Sequence, residues 1–289
     1  MAVVGEPRKL NLADKNNKSF SAADLAKLQV LGRGNGRTVY KVRHRLTSET
    51  YALKLIHGVP TDPASRRQLI REMSILRRTD SPHVVRCHEI FEKPSGEMAI
   101  LMEYMDSGTL ETLLRSQGTF SEYELADVAQ KVLKGLHYLH SHNIVHRGIK
   151  PANILVNSKM EVKISDFRVS KTLDAACTSY VGACAYMSPE QFDPATYGGS
   201  NGSAGDIWSL GLTLMELYMG HFPLFPPAAQ KPNFPTLMFA ICFGEPPALP
   251  RAASQELRSF LACCLHKDST KRWSAAQLLS HPFVMSYFG

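Results

Sequence analysis

The chain contains His146-Arg147-Gly148-Ile149-Lys150-Pro151-Ala152-Asn153, followed by Asp166-Phe167-Arg168 and then Met187-Ser188-Pro189-Glu190, the run that most constrains its architecture. Just upstream, Ser121 and Glu124 form a Ser-x-x-Glu capping box, and Leu125, Val128, Val132, Leu136 and Leu139 recur at helical spacing. Just downstream, Asp206 is placed to cap a helix carrying Ile207, Leu210, Leu214 and Leu217, apolar on nearly every side and so expected to be buried. Further helices are expected over 254–265 and 274–279, and loops where Pro and Gly gather over 194–205 and 221–235.

The opposite end of the chain has another character. Residues 28–31, 38–43 and 50–56 are rich in strand formers, and 44–49 make a plausible hairpin connection. Asp62 with Pro63 marks a helix start, and Leu69, Ile70, Met73 and Leu76 give it one apolar stripe. Two more strand-like runs follow at 84–91 and 98–102. Residues 1–24 lack periodicity and are expected to form a mobile arm. The chain reads as α+β: a small β-rich lobe over 28–103, a connection over 103–107 and a larger helical lobe over 108–288.

The sequence has 289 residues, of which 44% are apolar, enough for a substantial core and against global disorder. The net charge of +7 is spread along the chain. A nucleic-acid reader would need a contiguous basic groove with aromatic platforms, which the sequence does not show. No apolar run reaches membrane-spanning length, because Glu216 interrupts the longest candidate over 207–220. Glu6, Pro7, Arg8 and Lys9 break the short apolar start, against a secretory leader. Six cysteines without a Cys-x-x-Cys pair suit a reducing compartment, the cytoplasm or the nucleus. His137, His140, His142 and His146 cross a helix end and read as core or surface histidines.

Leu31-Gly32-Arg33-Gly34-Asn35-Gly36-Arg37-Thr38-Val39 lies between two expected strands, where glycine lets backbone amides approach phosphate oxygens. Lys54 follows Ala52 and Leu53 on a buried strand and needs a partner charge, for which Glu72 in the next helix is the candidate. Alone, a structural turn and an ordinary ion pair account for both. Together with the first stretch they form an ordered set that resembles the eukaryotic protein kinase signature over residues 25–285. The run from Ser179 through Tyr186, Met187, Ser188 and Pro189 to Glu190 is similar to the MAP kinase kinases. So are Met102-Glu103-Tyr104-Met105-Asp106 and Gly205-Asp206-Ile207-Trp208-Ser209; the wording is nearest the short plant type.

The resemblance implies a bilobal kinase fold that binds ATP and Mg2+. Leu31, Gly32, Arg33, Gly34, Asn35, Gly36, Arg37, Thr38 and Val39 would cover the phosphates, and Lys54 paired to Glu72 would hold them. Met102 would be the gatekeeper, with Glu103 to Met105 as the adenine hinge. Asn153 and Asp166 would ligate Mg2+, a hard cation that prefers oxygen. Glu190 would pair with Arg272, and Asp206 would support the backbone near His146.

Four positions depart from the pattern. Gly148 stands where the family has the aspartate that accepts the substrate hydroxyl's proton, leaving Lys150 as the remaining catalytic group. Arg168 replaces a glycine after Asp166, with an expected weakening of Mg2+ binding. Arg37 replaces the third loop glycine. Ala183 replaces a threonine whose hydroxyl bridges the missing aspartate and Lys150 in the family. The expectation is a pseudokinase-like MAP kinase kinase relative that binds ATP and a MAP kinase with impaired phosphoryl transfer; the alternative is an active dual-specificity kinase using another base or water. Arg8, Lys9, Leu10 and Leu12 resemble a MAP kinase docking segment. Thr172, Thr178 or Ser179 are candidates for phosphorylation by an upstream MAP kinase kinase kinase.

Overall fold

In a computed structural model, the described residues are 8–9, 20–34, 36–59, 62–92, 96–166, 184–199, 202–225, 233–245 and 247–287, without the side chains of 8, 9, 65, 68, 71 and 72. The chain divides into two compact units, Met1–Asp106 and Ser107–Gly289. The division falls inside the expected connection at 103–107.

The first unit is built on an antiparallel sheet with strand order β1-β5-β6-β4-β3-β2. Its strands are β1 (Arg8–Lys9), β2 (Leu25–Gly34), β3 (Arg37–His44), β4 (Thr50–Ile56), β5 (Cys87–Glu92) and β6 (Met98–Glu103), with helix α1 (Pro63–Arg78) between β4 and β5. A nearly unbroken apolar run suits β4 to its place inside the sheet, between β6 and β3: residues 51–55 are all buried, Lys54 among them at 9% exposure. Leu25, Val42, Leu53, Leu55, Phe91 and Leu101 form its core.

The expected arm over 1–24 is structured at both places where it is described. Arg8 and Lys9 pair antiparallel with Glu92 and Phe91. Phe20 is buried, with ring centroids 5.4 Å from Tyr51 and 5.8 Å from His44 in edge-on geometry. Burying such a ring is worth roughly 1.5–3 kcal/mol, which outweighs the local polarity that suggested an arm. A 3-10 turn at Ala22–Asp24, capped by Ser21, then leads into β2.

The second unit packs helices α2 (Leu110–Gln117) and α3 (Glu122–Ser141), hairpin strands β7 (Ile154–Val156) and β8 (Val162–Ile164), and helices α4 (Pro189–Phe192), α5 (Gly202–Met219), α6 (Phe234–Cys242), α7 (Gln255–Cys264), α8 (Ala275–Leu279) and α9 (Pro282–Met285). The Ser121/Glu124 capping box is formed on α3. Helix α5 is buried almost all round, as its composition requires. A Cβ on Gly211 would lie 2.8 Å from Leu265, so only glycine lets α5 approach the segment after α7 this closely. Among the described residues, no helix is long and apolar enough to cross a membrane, and the five cysteines are free.

Candidate functional site

In the first unit, the glycine-rich segment is the end of a β2–β3 hairpin, with Gly34 opposite Arg37 and Gly36 at φ 68° in the turn. Leu31, Gly32, Arg33 and Gly34 are exposed on β2, and Arg37, Thr38 and Val39 continue on β3. A Cβ on Gly32 or Gly34 would meet nothing within 4 Å, and neither has positive φ. Neither backbone conformation nor packing among the described residues requires glycine there, and the bare backbone leaves room for a ligand to approach. Lys54 pairs in the ladders with Val39 and Ile100, one strand in from the hairpin. Glu72 lies on α1, but its side chain is outside the described residues, as is Asn35 altogether.

Met102 and Glu103 end β6. The Glu103 N–H donates to the Arg86 carbonyl at 3.0 Å and its carboxylate accepts the Arg86 N–H at 2.6 Å, which fixes the strand's exit. Met105 is buried.

In the second unit the loop after α3 hangs from one carboxylate. Asp206 is 1% exposed; its Oδ2 accepts the His146 N–H at 2.9 Å and its Oδ1 the Arg147 N–H at 2.7 Å. His140 Nε2 donates to the same Oδ2 at 2.9 Å. Arg147 has φ 58°, a left-handed conformation that costs a non-glycine residue about 1–3 kcal/mol and persists here because its N–H is held. The expected capping role for Asp206 is thus corrected: α5 begins at Gly202, and Asp206 sits inside it, serving a loop some 60 residues upstream. The expected support of the His146 backbone is what the geometry provides.

Gly148 and Asn153 are locked to each other, since Asn153 Nδ2 donates to the Gly148 carbonyl at 2.7 Å. That leaves the Asn153 amide oxygen as the group to offer a cation. Ile154 pairs with Ile164, so Asn153 before β7 and Asp166 after β8 flank the same end of the hairpin. Ser165 ties them closer, donating its N–H and hydroxyl to the Asn153 carbonyl at 2.8 and 3.0 Å. Asp166, with φ 60°, follows in a left-handed conformation. One carboxamide and one carboxylate oxygen suit Mg2+ and its retained waters. Phe167, Arg168, Thr172, Thr178, Ser179 and Ala183 lie outside the described residues.

Lys150 lines a cleft together with Arg147, Gly148, Tyr186, Met187 and Ser209. The Tyr186 hydroxyl donates to Glu216 of α5. Burial pushes the Glu216 carboxyl above the usual carboxylate range, opposed by the Tyr186 hydrogen bond and reinforced by Glu111, with His221 and Lys150 pulling it down. Burial, then Glu216, drives the Tyr186 phenol well up, so it stays protonated and remains a donor. Sequence reasoning passed over both the His140–Asp206 contact and the Tyr186–Glu216 pair. Each joins residues at least thirty positions apart, which no local spacing announces. Glu190 and Arg272 meet as expected, in a two-pronged pair at 2.7 and 3.0 Å.

Comparison with known proteins completes the assignment. The protein kinase domain family matches residues 25–284. Mitogen-activated protein kinase kinase 9 of Arabidopsis thaliana is 62% identical over 270 residues, covering 92% of this chain and 86% of the relative. Mitogen-activated protein kinase kinase 7 of the same plant is 57% identical over 272 residues, 93% and 87% of the two chains. Mitogen-activated protein kinase kinase 8 is 48% identical over 277 residues, 93% and 85%. With the kinase loop elements in place and identities this high across nearly its whole length, the chain belongs to the MAP kinase kinases of the protein kinase family.

Proposed function

We propose that this MAP kinase kinase relative binds ATP and a MAP kinase while transferring phosphate slowly, because position 148 offers no carboxylate. Protein kinases use ATP and Mg2+, and members of this family stand between upstream kinases and MAP kinases. The observation that carries the reading is local. The backbone around Gly148 is held by Asn153 and, through Arg147, by Asp206, so the lack at this position is a side chain and not a disordered loop. A general base contributes about 10²–10⁴ in rate. When bound, Mg2+ would neutralise phosphate charge, with Asn153 and Asp166 as its holders. Lys150 would stabilise the moving phosphoryl group, and the glycine hairpin and Lys54 would orient the nucleotide.

Intact Lys150, Asn153 and Asp166 also support the alternative, a working dual-specificity kinase in which water takes the proton, since phosphoryl transfer leans on positioning and charge. Incubating the purified chain with radiolabelled ATP and a kinase-dead MAP kinase separates the two. Turnover at the rate of its plant relatives would overturn the slow-transfer reading.

Nucleotide binding is expected to show as stabilisation. ATP at a hundred times its Kd should add about 2.7 kcal/mol, a rise of roughly 5 °C or more in Tm. No shift at millimolar ATP would remove the binding claim. Arg8, Lys9, Leu10 and Leu12 are proposed to dock the MAP kinase, cations on an acidic patch and leucines in an apolar groove. Deleting residues 1–12 should cut capture of a MAP kinase in a pull-down, and undiminished capture would count against docking. An upstream MAP kinase kinase kinase is proposed to act on Thr172, Thr178 or Ser179, in the cytoplasm or nucleus. Mapping none of the three after treatment with such a kinase would withdraw that site.

A further inference from the structure

A hydroxyl, an imidazole and a carboxylate are strung across three strands at the hairpin end of the first unit's sheet. Thr38 Oγ1 on β3 lies 3.1 Å from Nε2 of His57, which follows β4, and His57 Nδ1 lies 2.5 Å from Oε1 of Glu97, which precedes β6. The backbone adds another tie, because the His57 N–H donates to the Gly36 carbonyl at 2.7 Å. His57 thus holds both the turn glycine and the next strand residue but one, and Glu97 fixes its ring. Strand register explains the meeting: Ile56 pairs with Met98, so His57 and Glu97 emerge side by side, while Thr38 pairs with Leu55.

The proton assignment follows from chemistry. An ionised carboxylate only accepts, so Nδ1 carries the hydrogen and Nε2 of the neutral ring accepts from Thr38. An exposed His–Glu pair alone contributes little. This one differs because Thr38 is 9% exposed and its strand runs directly from the glycine turn proposed to cover the phosphates. Gly32 and Gly34 add no side-chain packing of their own, so beyond the strand ladders the ties from His57 bear on where the turn sits.

We infer that His57, oriented by Glu97 and gripping Thr38 and Gly36, is a positioning residue that sets the glycine hairpin for the phosphates of the nucleotide. This rests on the proposed binding of ATP. The side chain touches no substrate atom; it acts through the hairpin. Its signature is therefore selectivity for phosphate: affinity for ATP depends on the clamp more steeply than affinity for adenosine, which has no phosphates for the turn to hold.

The experiment measures binding of ATP with Mg2+ and of adenosine to the full chain by calorimetry, for the unaltered protein and for Thr38→Val, His57→Ala, His57→Gln and Glu97→Gln. Loss of one net hydrogen bond should weaken ATP about three- to tenfold in Thr38→Val and His57→Ala, with a clearly smaller loss for adenosine. The Thr38→Val/His57→Ala double variant should lose no more than the larger single loss, because both changes break the same hydrogen bond. His57→Gln, which keeps an acceptor for the Thr38 hydroxyl, should recover part of the affinity. Equal falls in ATP and adenosine would mean general damage and overturn the clamp, as would additive losses. Unchanged ATP affinity in every variant would remove the clamp and leave ATP binding standing. Failure of the unaltered chain to bind ATP at all would remove both.

Discussion

Replacing Gly148 by aspartate is expected to raise phosphoryl transfer to a MAP kinase by about 10²–10⁴, with little change in the KM for ATP. The gain should appear in kcat because the new carboxylate would act on the substrate hydroxyl's proton only as the nucleophile commits. The site is prepared to receive it. Gly148 is absent from the glycines with positive φ, so an L side chain enters without backbone strain. It lines the cleft with Lys150 and is half-buried. The carbonyl contact from Asn153 uses the backbone alone and survives the change.

A gain at the low end of the range would point to Ala183, where the family has a bridging hydroxyl. Gly148→Asp/Ala183→Thr should then exceed Gly148→Asp, and the two effects should be more than additive because they serve one interaction. The measurement is initial rate of radiolabel transfer to a kinase-dead MAP kinase, side by side with the unaltered chain. Equal rates for Gly148→Asp and the unaltered chain would sink the claim that this position limits turnover.

What the sequence made legible were features with a short period or a fixed local chemistry. β4 runs from Thr50 to Ile56, as its β-branched and apolar residues indicate, and Pro63 opens α1 as its fixed φ suggests. Ser121 and Glu124 sit three apart and cap each other, so the pattern and the structure coincide. The departures share another cause. Asp206 resembles a helix cap by its neighbours, yet its partners are the amides of residues 146 and 147, brought to it by tertiary packing. Phe20 stands after polar residues, and only the sheet shows why it is ordered. Thr38, His57 and Glu97 are separated by nineteen and forty positions, and only strand register makes them neighbours.

Arg272→Ala is expected to destabilise the second unit by about 3–5 kcal/mol. The Arg272 and Glu190 side chains are 0% and 1% exposed, so truncating the cation leaves a carboxylate without water or counter-charge. Arg272 also donates to the carbonyls of Ala204, at 2.7 Å, and His266, at 3.0 and 3.1 Å, tying α5 to the segment after α7. Its guanidinium carbon lies 5.3 Å from the Trp208 ring, a cation–π attraction that the same truncation removes. Both tryptophans of the sequence, Trp208 and Trp273, belong to this unit. Their fluorescence in urea therefore follows its unfolding even if the two units melt separately. Arg272→Lys, which keeps charge but not the planar fork, should fall between. Lys271, one residue earlier, supplies the control: its 3.8 Å pair with Asp268 is exposed, and Lys271→Ala should change stability by no more than about 0.5 kcal/mol. Comparable midpoints for Arg272→Ala and Lys271→Ala would show that the buried pair holds nothing. Glu190→Leu/Arg272→Met tests the cause, since removing both charges spares the orphaned carboxylate. It should recover much of the stability, whereas a deficit as large as that of Arg272→Ala would assign the effect to the carbonyl hydrogen bonds of Arg272 and not to the charge of Glu190.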